Sequence, residues 1–144
     1  MSTILVVDDD PVMRYLARLM VQKLGYHPVE ATNGREGKSL ALELQPALIL
    51  LDIMMPVQDG YETIRHLRAQ GYRGAITILS AIPEAEGPQT AKDCGATSYL
   101  SKPIDYELLT LHVQYAAVYT ADPQHAPSLP AWLAQQKRKS TNGQ

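Results

Sequence analysis

The sequence predicts an α/β protein built on a doubly wound, five-stranded parallel sheet. Strand-like and helix-like segments alternate five times before residue 120, which is the order of elements in folds of this class. The strand-like runs are apolar, and "ALILLD" at 47–52 is the most hydrophobic of them, as expected of parallel strands that helices cover on both faces. We expect the strand order 2-1-3-4-5, in which the first and third strands are neighbours at the switch point of the sheet.

Each element has its own local pattern. The strands are predicted at 3–7, 26–31, 47–52, 74–81 and 97–101, and the helices at 11–25, 34–45, 58–71, 88–96 and 103–119. Asp10 precedes Pro11, which is the arrangement of an N-cap followed by proline at the first helical position. Gly25 suits the end of that helix. Pro28 predicts an edge position for the second strand, because proline cannot donate to a ladder.

Composition and charge exclude several classes of protein. A chain of 144 residues with 45% hydrophobic and 19% charged residues is typical of one globular domain. No apolar run approaches the roughly 20 residues that span a bilayer, and the N-terminus shows no signal peptide. The single cysteine, Cys94, precludes an internal disulfide and favours a cytoplasmic location. A net charge of −2 does not indicate nucleic-acid binding.

The last 26 residues differ in character from the rest of the chain. Residues 1–118 hold 14 acidic and 10 basic residues (net −4), whereas residues 119–144 hold one acidic and three basic residues (net +2). Three prolines in "TADPQHAPSLP" are typical of an extended linker. We expect a disordered tail, or a connection to a further segment, after this linker. The alternative is a turn or two of helix in which Trp132 docks on the domain or on a partner.

Acidic residues follow two strands that we expect to be neighbours. The stretch "ILVVDDDP" places Asp8 and Asp9 after the first strand, and Asp52 ends the third. Because parallel strands share one carboxyl edge and lie about 4.8 Å apart, these carboxylates should lie close together. They would then hold a proton at a raised pKa or bind a hard cation. With no Cys or His at ligand spacing, the oxygen-only set favours Mg²⁺ over Zn²⁺. The less favoured alternative is that two of these acids merely cap loops.

Two further polar residues end strands at the same edge. Ser80 follows the fourth strand and Lys102 follows the fifth. A lysine can neutralise an oxyanion and a hydroxyl can donate to one, so this set predicts a site for phosphoryl transfer. Asp52 is the expected nucleophile, because aspartyl phosphate is an established covalent intermediate.

Four motifs at these strand ends resemble those of a known family. "ILVVDD", "LILLDIMMPVQDG", "ITILSA" and "YLSKP" occur in the order and spacing of the receiver domain of bacterial two-component response regulators, and the resemblance covers residues 3–118. It implies a flavodoxin-like three-layer sandwich. We therefore interpret 1–118 as a phosphoacceptor receiver domain of the chemotaxis-like, single-domain type, and 119–144 as a proline-rich linker and basic tail.

The resemblance also implies a mechanism. Asp52 would accept a phosphoryl group from a sensor histidine kinase, a histidine phosphotransfer protein or a small donor such as acetyl phosphate. Asp9 and Asp52 would bind Mg²⁺ directly, together with the backbone carbonyl of Met54, and Asp8 would act largely through water. Lys102, before a cis Pro103, would pair with the phosphoryl oxygens.

The family pattern further implies a conformational switch. Ser80 would swing to bond a phosphoryl oxygen and Tyr99 would move inward, although Tyr99 as an ordinary core residue is the alternative. This would couple the site to the face formed by the predicted helix at 88–96, the fifth strand and the helix at 103–119. The same face is a candidate homodimer surface. Gly87 and Pro88 predict that the helix at 88–96 is short and starts late, which puts the usual output face in doubt.

Other residues near the site have structural interpretations. In the "MPVQDG" loop, Pro56 favours a turn, Asp59 can cap the third helix, and Gly60 permits tight backbone geometry. We do not expect Asp59 to be catalytic. Cys94 should pack at the end of the helix at 88–96 without a chemical role.

These observations favour a signalling switch that binds an unidentified downstream protein and catalyses only its own phosphorylation and slow dephosphorylation. The alternatives are the N-terminal receiver of a larger regulator or hybrid kinase and, less favoured, an aspartate-based phosphatase or a flavin-binding domain of the same topology. The acidic loop "DDDPVMR" lacks the phosphate cradle that a flavin needs.

The lifetime of the phosphorylated state is a first testable prediction. Met54 and Ile82 lie two residues beyond Asp52 and Ser80, where the family places side chains that influence the attacking water. Because apolar side chains cannot orient water, we expect the phosphorylated form to last many minutes or more. The measurement is loss of label after removal of the donor, and complete loss within seconds would contradict it.

Overall fold

The computed structural model describes residues 2–55, 59–81 and 92–142, and it has the predicted α/β fold. The strands are β1 (Thr3–Val7), β2 (His27–Ala31), β3 (Leu48–Asp52), β4 (Ala75–Ser80) and β5 (Ser98–Ser101). The helices are α1 (Pro11–Lys23), α2 (Gly34–Leu44), α3 (Gly60–Ala69), α4 (Tyr106–Ala121) and α5 (Leu129–Asn142). The strands form one parallel sheet in the order β2-β1-β3-β4-β5, which confirms the predicted topology and the edge position of the Pro28 strand.

The register of the central strands places their carboxyl ends side by side. Val7 of β1 pairs with Leu51 of β3, and Asp52 pairs with Leu79 of β4. Asp8 directly follows Val7, and Asp52 directly follows Leu51. Because Val7 and Leu51 are paired, Asp8 and Asp52 lie at the same level of the sheet. Ser80 of β4 pairs with Ser101 of β5, and Lys102 comes next in the chain. Asp8, Asp52, Ser80 and Lys102 therefore lie at one edge of the sheet.

Both faces of the sheet are covered by helices. Every residue of β3 is buried, and its side chains alternate between two core clusters. Ile49 and Leu51 pack with residues of α2 and α3, whereas Leu48 and Leu50 pack with residues of α1 and α4. This alternation explains why the strand is a continuous apolar run and not an alternating one.

Side-chain caps fix where the helices start. The Asp10 carboxylate accepts the Val12 N–H at 2.9 Å, with Pro11 at the first helical position, as predicted. The Asp59 carboxylate accepts the Glu62 N–H at 2.8 Å, which confirms its predicted role as the N-cap of α3. Gly25 follows α1 with φ of +88°, a backbone conformation that favours glycine. Each such cap typically contributes about 1 kcal/mol.

Some sequence expectations fall outside the described part of the chain. Pro56, Ile82, Gly87 and Pro88 belong to this group, as do residues 88–91 at the start of the helix predicted at 88–96, whereas residues 92–94 are helical. Cys94 lies at the end of that predicted helix and is buried in the core cluster shared with α2 and α3. Across the described ranges, none of the helices combines the length and the apolar character that crossing a bilayer requires.

The tail contains a longer helix than the sequence pattern predicts. Helix α5 runs for 14 residues, which exceeds the turn or two of the docked alternative. Trp132 is 7% exposed, and its ring centroid lies 5.7 Å from that of Tyr115 on α4. The helix is longer because the tail packs against an apolar side of α4, and no local sequence pattern identifies that side as its partner.

Gly60 brings the start of α3 against the end of β3. A Cβ at this position would meet the Ile53 Cα at 2.5 Å and the Asp52 carbonyl oxygen at 2.8 Å, both backbone atoms. The Gly60 N–H also donates to the Ile53 carbonyl at 3.0 Å. The absence of a side chain therefore lets α3 close onto the segment that carries Asp52.

We predict that Gly60→Ala lowers the free energy of unfolding by about 1–3 kcal/mol, because backbone cannot yield as a side chain can. The measurement is urea unfolding. The control is Arg65→Ala, an exposed position on the same helix, which should change stability by no more than about 0.5 kcal/mol. A Gly60→Ala protein as stable as the wild type would show that this approach is not tight.

Candidate functional site

Three carboxylates converge at the carboxyl edge of the sheet. Asp8, Asp9 and Asp52 each offer an oxygen, and these atoms all lie within 4.8 Å of one another. Asp8 and Asp52 are buried, with 1% and 5% of their surface exposed, whereas Asp9 is exposed. The predicted proximity is confirmed, and it follows from the adjacency of β1 and β3.

Backbone N–H groups orient two of the three acids. One oxygen of Asp8 accepts the Asp10 N–H at 2.9 Å. One oxygen of Asp52 accepts the Met54 N–H at 3.2 Å. Both acids bond the N–H two residues further along the chain, so the backbone of each loop holds its carboxylate. In each group this bond engages only one of the two carboxylate oxygens.

Lys102 lies among these carboxylates. Its Nζ is 3.0 Å from Asp8 Oδ2 and 3.6 Å from Asp52 Oδ1. Its backbone N–H donates to the Ser80 carbonyl at 2.7 Å, which continues the β4–β5 pairing to the site. The peptide between Lys102 and Pro103 is cis, as the resemblance implied.

Burial raises the pKa of Asp52 to about 6. The Met54 N–H and the Lys102 ammonium favour the charged form, whereas Asp8 and Asp9 oppose it by like-charge repulsion. With all three acids ionised, one lysine leaves two negative charges uncompensated. The site is therefore electrostatically suited to a divalent cation.

The cluster can accept Mg²⁺ if its carboxylate oxygens move slightly closer together. Oxygens bind this ion at about 2.0–2.1 Å, so two ligands on one ion lie no more than about 4.2 Å apart. A separation at the 4.8 Å limit would have to close by roughly half an ångström, or a water would have to mediate one contact. Because Asp9 is exposed, its side chain has room to make such an adjustment.

The other predicted site residues lie close to this cluster or behind it. Ser80 is 1% exposed at the end of β4. Tyr99 is half-buried on β5, pairs with Ile78, and packs against the core cluster shared with α2 and α3. The Met54 side chain is 68% exposed. Asp59 caps α3 and is not part of the carboxylate cluster.

Sequence reasoning missed Arg14. Its Nη1 donates to the Asp8 carbonyl at 2.8 Å, and its guanidinium lies 3.6 Å from the Glu30 carboxylate. Arg14 therefore ties the first turn of α1 to the loop that carries Asp8 and Asp9. A single arginine on a helix gives no signal of this role, because its carbonyl partner depends on how the chain folds back.

Fold and site together define a class of protein: a flavodoxin-like α/β domain with an acidic, lysine-containing site at the switch point of its sheet. Residues 4–114 match the family described as the response regulator receiver domain. The chain belongs to this family of two-component signalling proteins.

Relatives and solved structures agree with this assignment. The chain is 35% identical over 116 residues to the DNA-binding dual master transcriptional regulator RpaA of Synechocystis, covering 79% of this chain and 48% of that protein. The chain thus spans about half the length of that relative. The chemotaxis protein CheY4 of Vibrio cholerae is 32% identical with a TM-score of 0.74, and the match covers 81% of this chain and 98% of that one.

Among the related structures that contain magnesium, one shows where the ion lies. It is the receiver domain of the sensor histidine kinase PA1611 from Pseudomonas aeruginosa, crystallised with a magnesium ion in its active-site cleft. It is 30% identical to this chain with a TM-score of 0.73, and the match covers 80% of this chain and 96% of that one.

The raised pKa of Asp52 predicts how stability depends on pH. The folded protein holds this proton up to about pH 6, whereas a free carboxyl releases it at 3.8, so this group's contribution to stability falls as pH rises from 4 to 6. Asp52→Asn should therefore raise the free energy of unfolding at pH 7.5, without divalent cations, by about 1–3 kcal/mol. This gain should shrink toward pH 4. The measurement is urea unfolding at several pH values.

Comparison between variants isolates this effect. Burial lowers the pKa of His112 to about 4. The contribution of His112 to the stability of the folded protein is therefore lost as pH falls from 6.5 to 4, and this loss is the same in the wild type and in Asp52→Asn. Asp10→Asn is the matched control, since asparagine caps a helix as well as aspartate does. A gain in Asp52→Asn that does not depend on pH would contradict the assigned cause.

Proposed function

We propose that this chain is a phosphorylation-dependent switch of a two-component pathway, in which Asp52 accepts a phosphoryl group from a phosphohistidine on a sensor histidine kinase or phosphotransfer protein. The observation that carries the proposal is the convergence of Asp8, Asp9, Asp52 and Lys102 at one sheet edge. If the acids only capped loops, or only formed an ion pair with Lys102, three carboxylates from the ends of two strands would not need to lie together.

The proposed step is a displacement at phosphorus. An ionised oxygen of Asp52 forms the new O–P bond as the P–N bond of the donor breaks, and the donor imidazole keeps the electron pair and takes up a proton. Asp52 is suited to this role because its pKa of about 6 leaves it mostly ionised at neutral pH. The Met54 N–H holds Oδ1, which leaves Oδ2 as the attacking oxygen in this proposal.

Lys102 supplies positive charge where the phosphoryl oxygens arrive. Its Nζ already lies 3.6 Å from Asp52, and pairing with a phosphoryl oxygen would draw it from Asp8. Asp8, Asp9, Asp52 and the Met54 carbonyl would hold Mg²⁺, directly or through water, and the ion would supply charge neutralisation during transfer. Receiver domains of the same family support this assignment, because one was crystallised with magnesium in its active-site cleft.

Ser80 and Tyr99 are the proposed switch residues. Ser80 lies at the same edge, where its hydroxyl is suited to donate to a phosphoryl oxygen after a change of rotamer. Tyr99 is half-buried on the neighbouring strand, so a shift of Ser80 would change the space into which the ring packs. A local charge event would thereby bias a two-state element.

The wider setting is also a proposal. We place the protein in the cytoplasm, with an unidentified downstream protein as its target and no direct contact with nucleic acid or membrane. The alternative is that these residues form the receiver of a larger regulator, as the partial coverage of RpaA suggests. A homodimer through the face formed by the helix predicted at 88–96, β5 and α4 is a further candidate arrangement.

We predict a mass gain of one phosphate when the chain is incubated with acetyl phosphate and Mg²⁺. Asp52→Asn should abolish the gain, and chelation of the metal should reduce it strongly. Lys102→Ala should slow it by about 10²-fold, the scale for removing one charge-stabilising group. The measurement is intact-mass spectrometry over time.

Asp10→Asn and Asp59→Asn serve as controls, because both residues cap helices and lie outside the carboxylate cluster. Both proteins should be phosphorylated like the wild type. A phosphate gain that persists in Asp52→Asn would overturn the assignment of the acceptor.

A further inference from the structure

The tail helix α5 is attached to one side of α4 by an aromatic contact. Trp132 packs against Tyr115 with ring centroids 5.7 Å apart and an interplanar angle of 54°. The Tyr115 hydroxyl donates to the Pro127 carbonyl at 2.7 Å, just before α5 begins. Tyr115 therefore bonds the linker and packs on the helix that follows it.

The side of α4 under the tail is separate from the side that faces the sheet. Leu108, Leu111 and Tyr115 recur at helical spacing, and we call them the tail stripe; Tyr115 is buried and Leu111 half-buried, whereas Leu108 is still 46% exposed. The sheet-facing residues of α4 are Leu109, Val113 and Ala116. Leu108 and Leu111 also line an apolar groove of about 360 Å³, together with Leu133 and other residues of α5.

Two short connections join the tail stripe to the candidate phosphorylation site. Asp105 lies three residues after Lys102 and is the N-cap of α4. Its carboxylate accepts the backbone N–H of Leu108, the first residue of the tail stripe, at 3.0 Å. His112 of α4 bonds the Ser98 hydroxyl through Nδ1 at 2.9 Å, and Ser98 directly precedes Tyr99. Both connections run from β5 or its end to α4.

The attachment of the tail depends on few buried groups. Among the side chains of α5 that the structure describes, Trp132 is buried, whereas the others are half-buried or exposed. A free helix of 14 residues is marginal in water, so the contact with α4 stabilises α5 itself. Loss of the contact would therefore release the helix and unfold it.

We propose that α5 is a cover over the tail stripe that is released when Asp52 is phosphorylated; this inference rests on the proposed function. In the geometry with the tail docked, Lys102 bridges Asp8 and Asp52. A phosphoryl group on Asp52 competes for Lys102, and the resulting shift passes through the Asp105 cap to Leu108. The end of α4 that supports the groove moves, α5 leaves, and an apolar surface is exposed.

Trp132 reports directly on this event because it is the only tryptophan in the chain. The experiment uses the full chain with Mg²⁺ and either acetyl phosphate or beryllofluoride, a phosphoryl mimic. We expect the emission maximum to move to longer wavelength and quenching by acrylamide to rise severalfold. Asp52→Asn should show neither change.

Intact mass, measured on the acetyl phosphate sample, separates the two proposals. A phosphate gain with unchanged Trp132 emission would overturn the cover and leave the proposed function standing. Absence of any phosphate gain would overturn both, since the release signal would not exist. A phosphate gain with a blue shift and less quenching would mean tighter docking, which also overturns the cover.

Matched variants test the contact itself. Tyr115→Phe keeps the ring but loses the donor to Pro127, so acrylamide quenching should rise before phosphorylation. Tyr119→Phe, one turn further along α4, should leave quenching unchanged. Equal rises in both variants would indicate general loosening of α4 and would overturn the proposal.

Coupling must also act in the reverse direction. Trp132→Ala weakens docking, so it should tighten beryllofluoride binding severalfold in calorimetry at saturating Mg²⁺. Circular dichroism checks that the variant is folded. An affinity equal to that of the wild type would show that the tail is attached independently of the site.

Discussion

The interaction between Lys102 and the carboxylates of Asp8 and Asp52 is the constraint on which the site depends. Three acids at neighbouring strand ends repel one another, and burial of two of them opposes ionisation. An ammonium 3.0 Å from one and 3.6 Å from the other offsets part of this cost. The remaining negative charge makes the site electrostatically suited to a divalent cation, which in our proposal accompanies the phosphoryl group.

The sheet makes this arrangement possible by holding each charged group at the end of an apolar strand. The fully buried strands β3 and β4 carry one ionisable residue, Asp52, and it lies at this edge, so within these two strands the desolvation of charge is confined to the site. Backbone N–H groups of the following loops orient Asp8 and Asp52, and Gly60 lets α3 close onto the same segment. A buried carboxylate at such a site lowers the stability of the folded protein, because burial disfavours its charged form.

Polar groups also enter the core on the side of β4, β5 and α4. Thr77, Ser98 and His112 form a buried chain of hydrogen bonds with separations of 2.7 and 2.9 Å. Such a chain fixes the position of α4 relative to the sheet more specifically than apolar packing does. Because Ser98 precedes Tyr99 and His112 lies beside the tail stripe, the chain lies between the proposed switch and the tail.

Local patterns in the sequence determined the strands, most helices, the caps at Asp10 and Asp59, and the identity of the acids that end β1 and β3. These features depend on residues within a few positions of one another or on the strand order common to this class. Only the tertiary structure decided the pairing of Lys102 with Asp8, which are 94 residues apart, the bond from Arg14 to the Asp8 carbonyl, and the docking of Trp132 on Tyr115. The sequence shows that α4 is apolar on more than one side. Which element covers each side depends on packing in three dimensions, and this cannot be predicted from local periodicity.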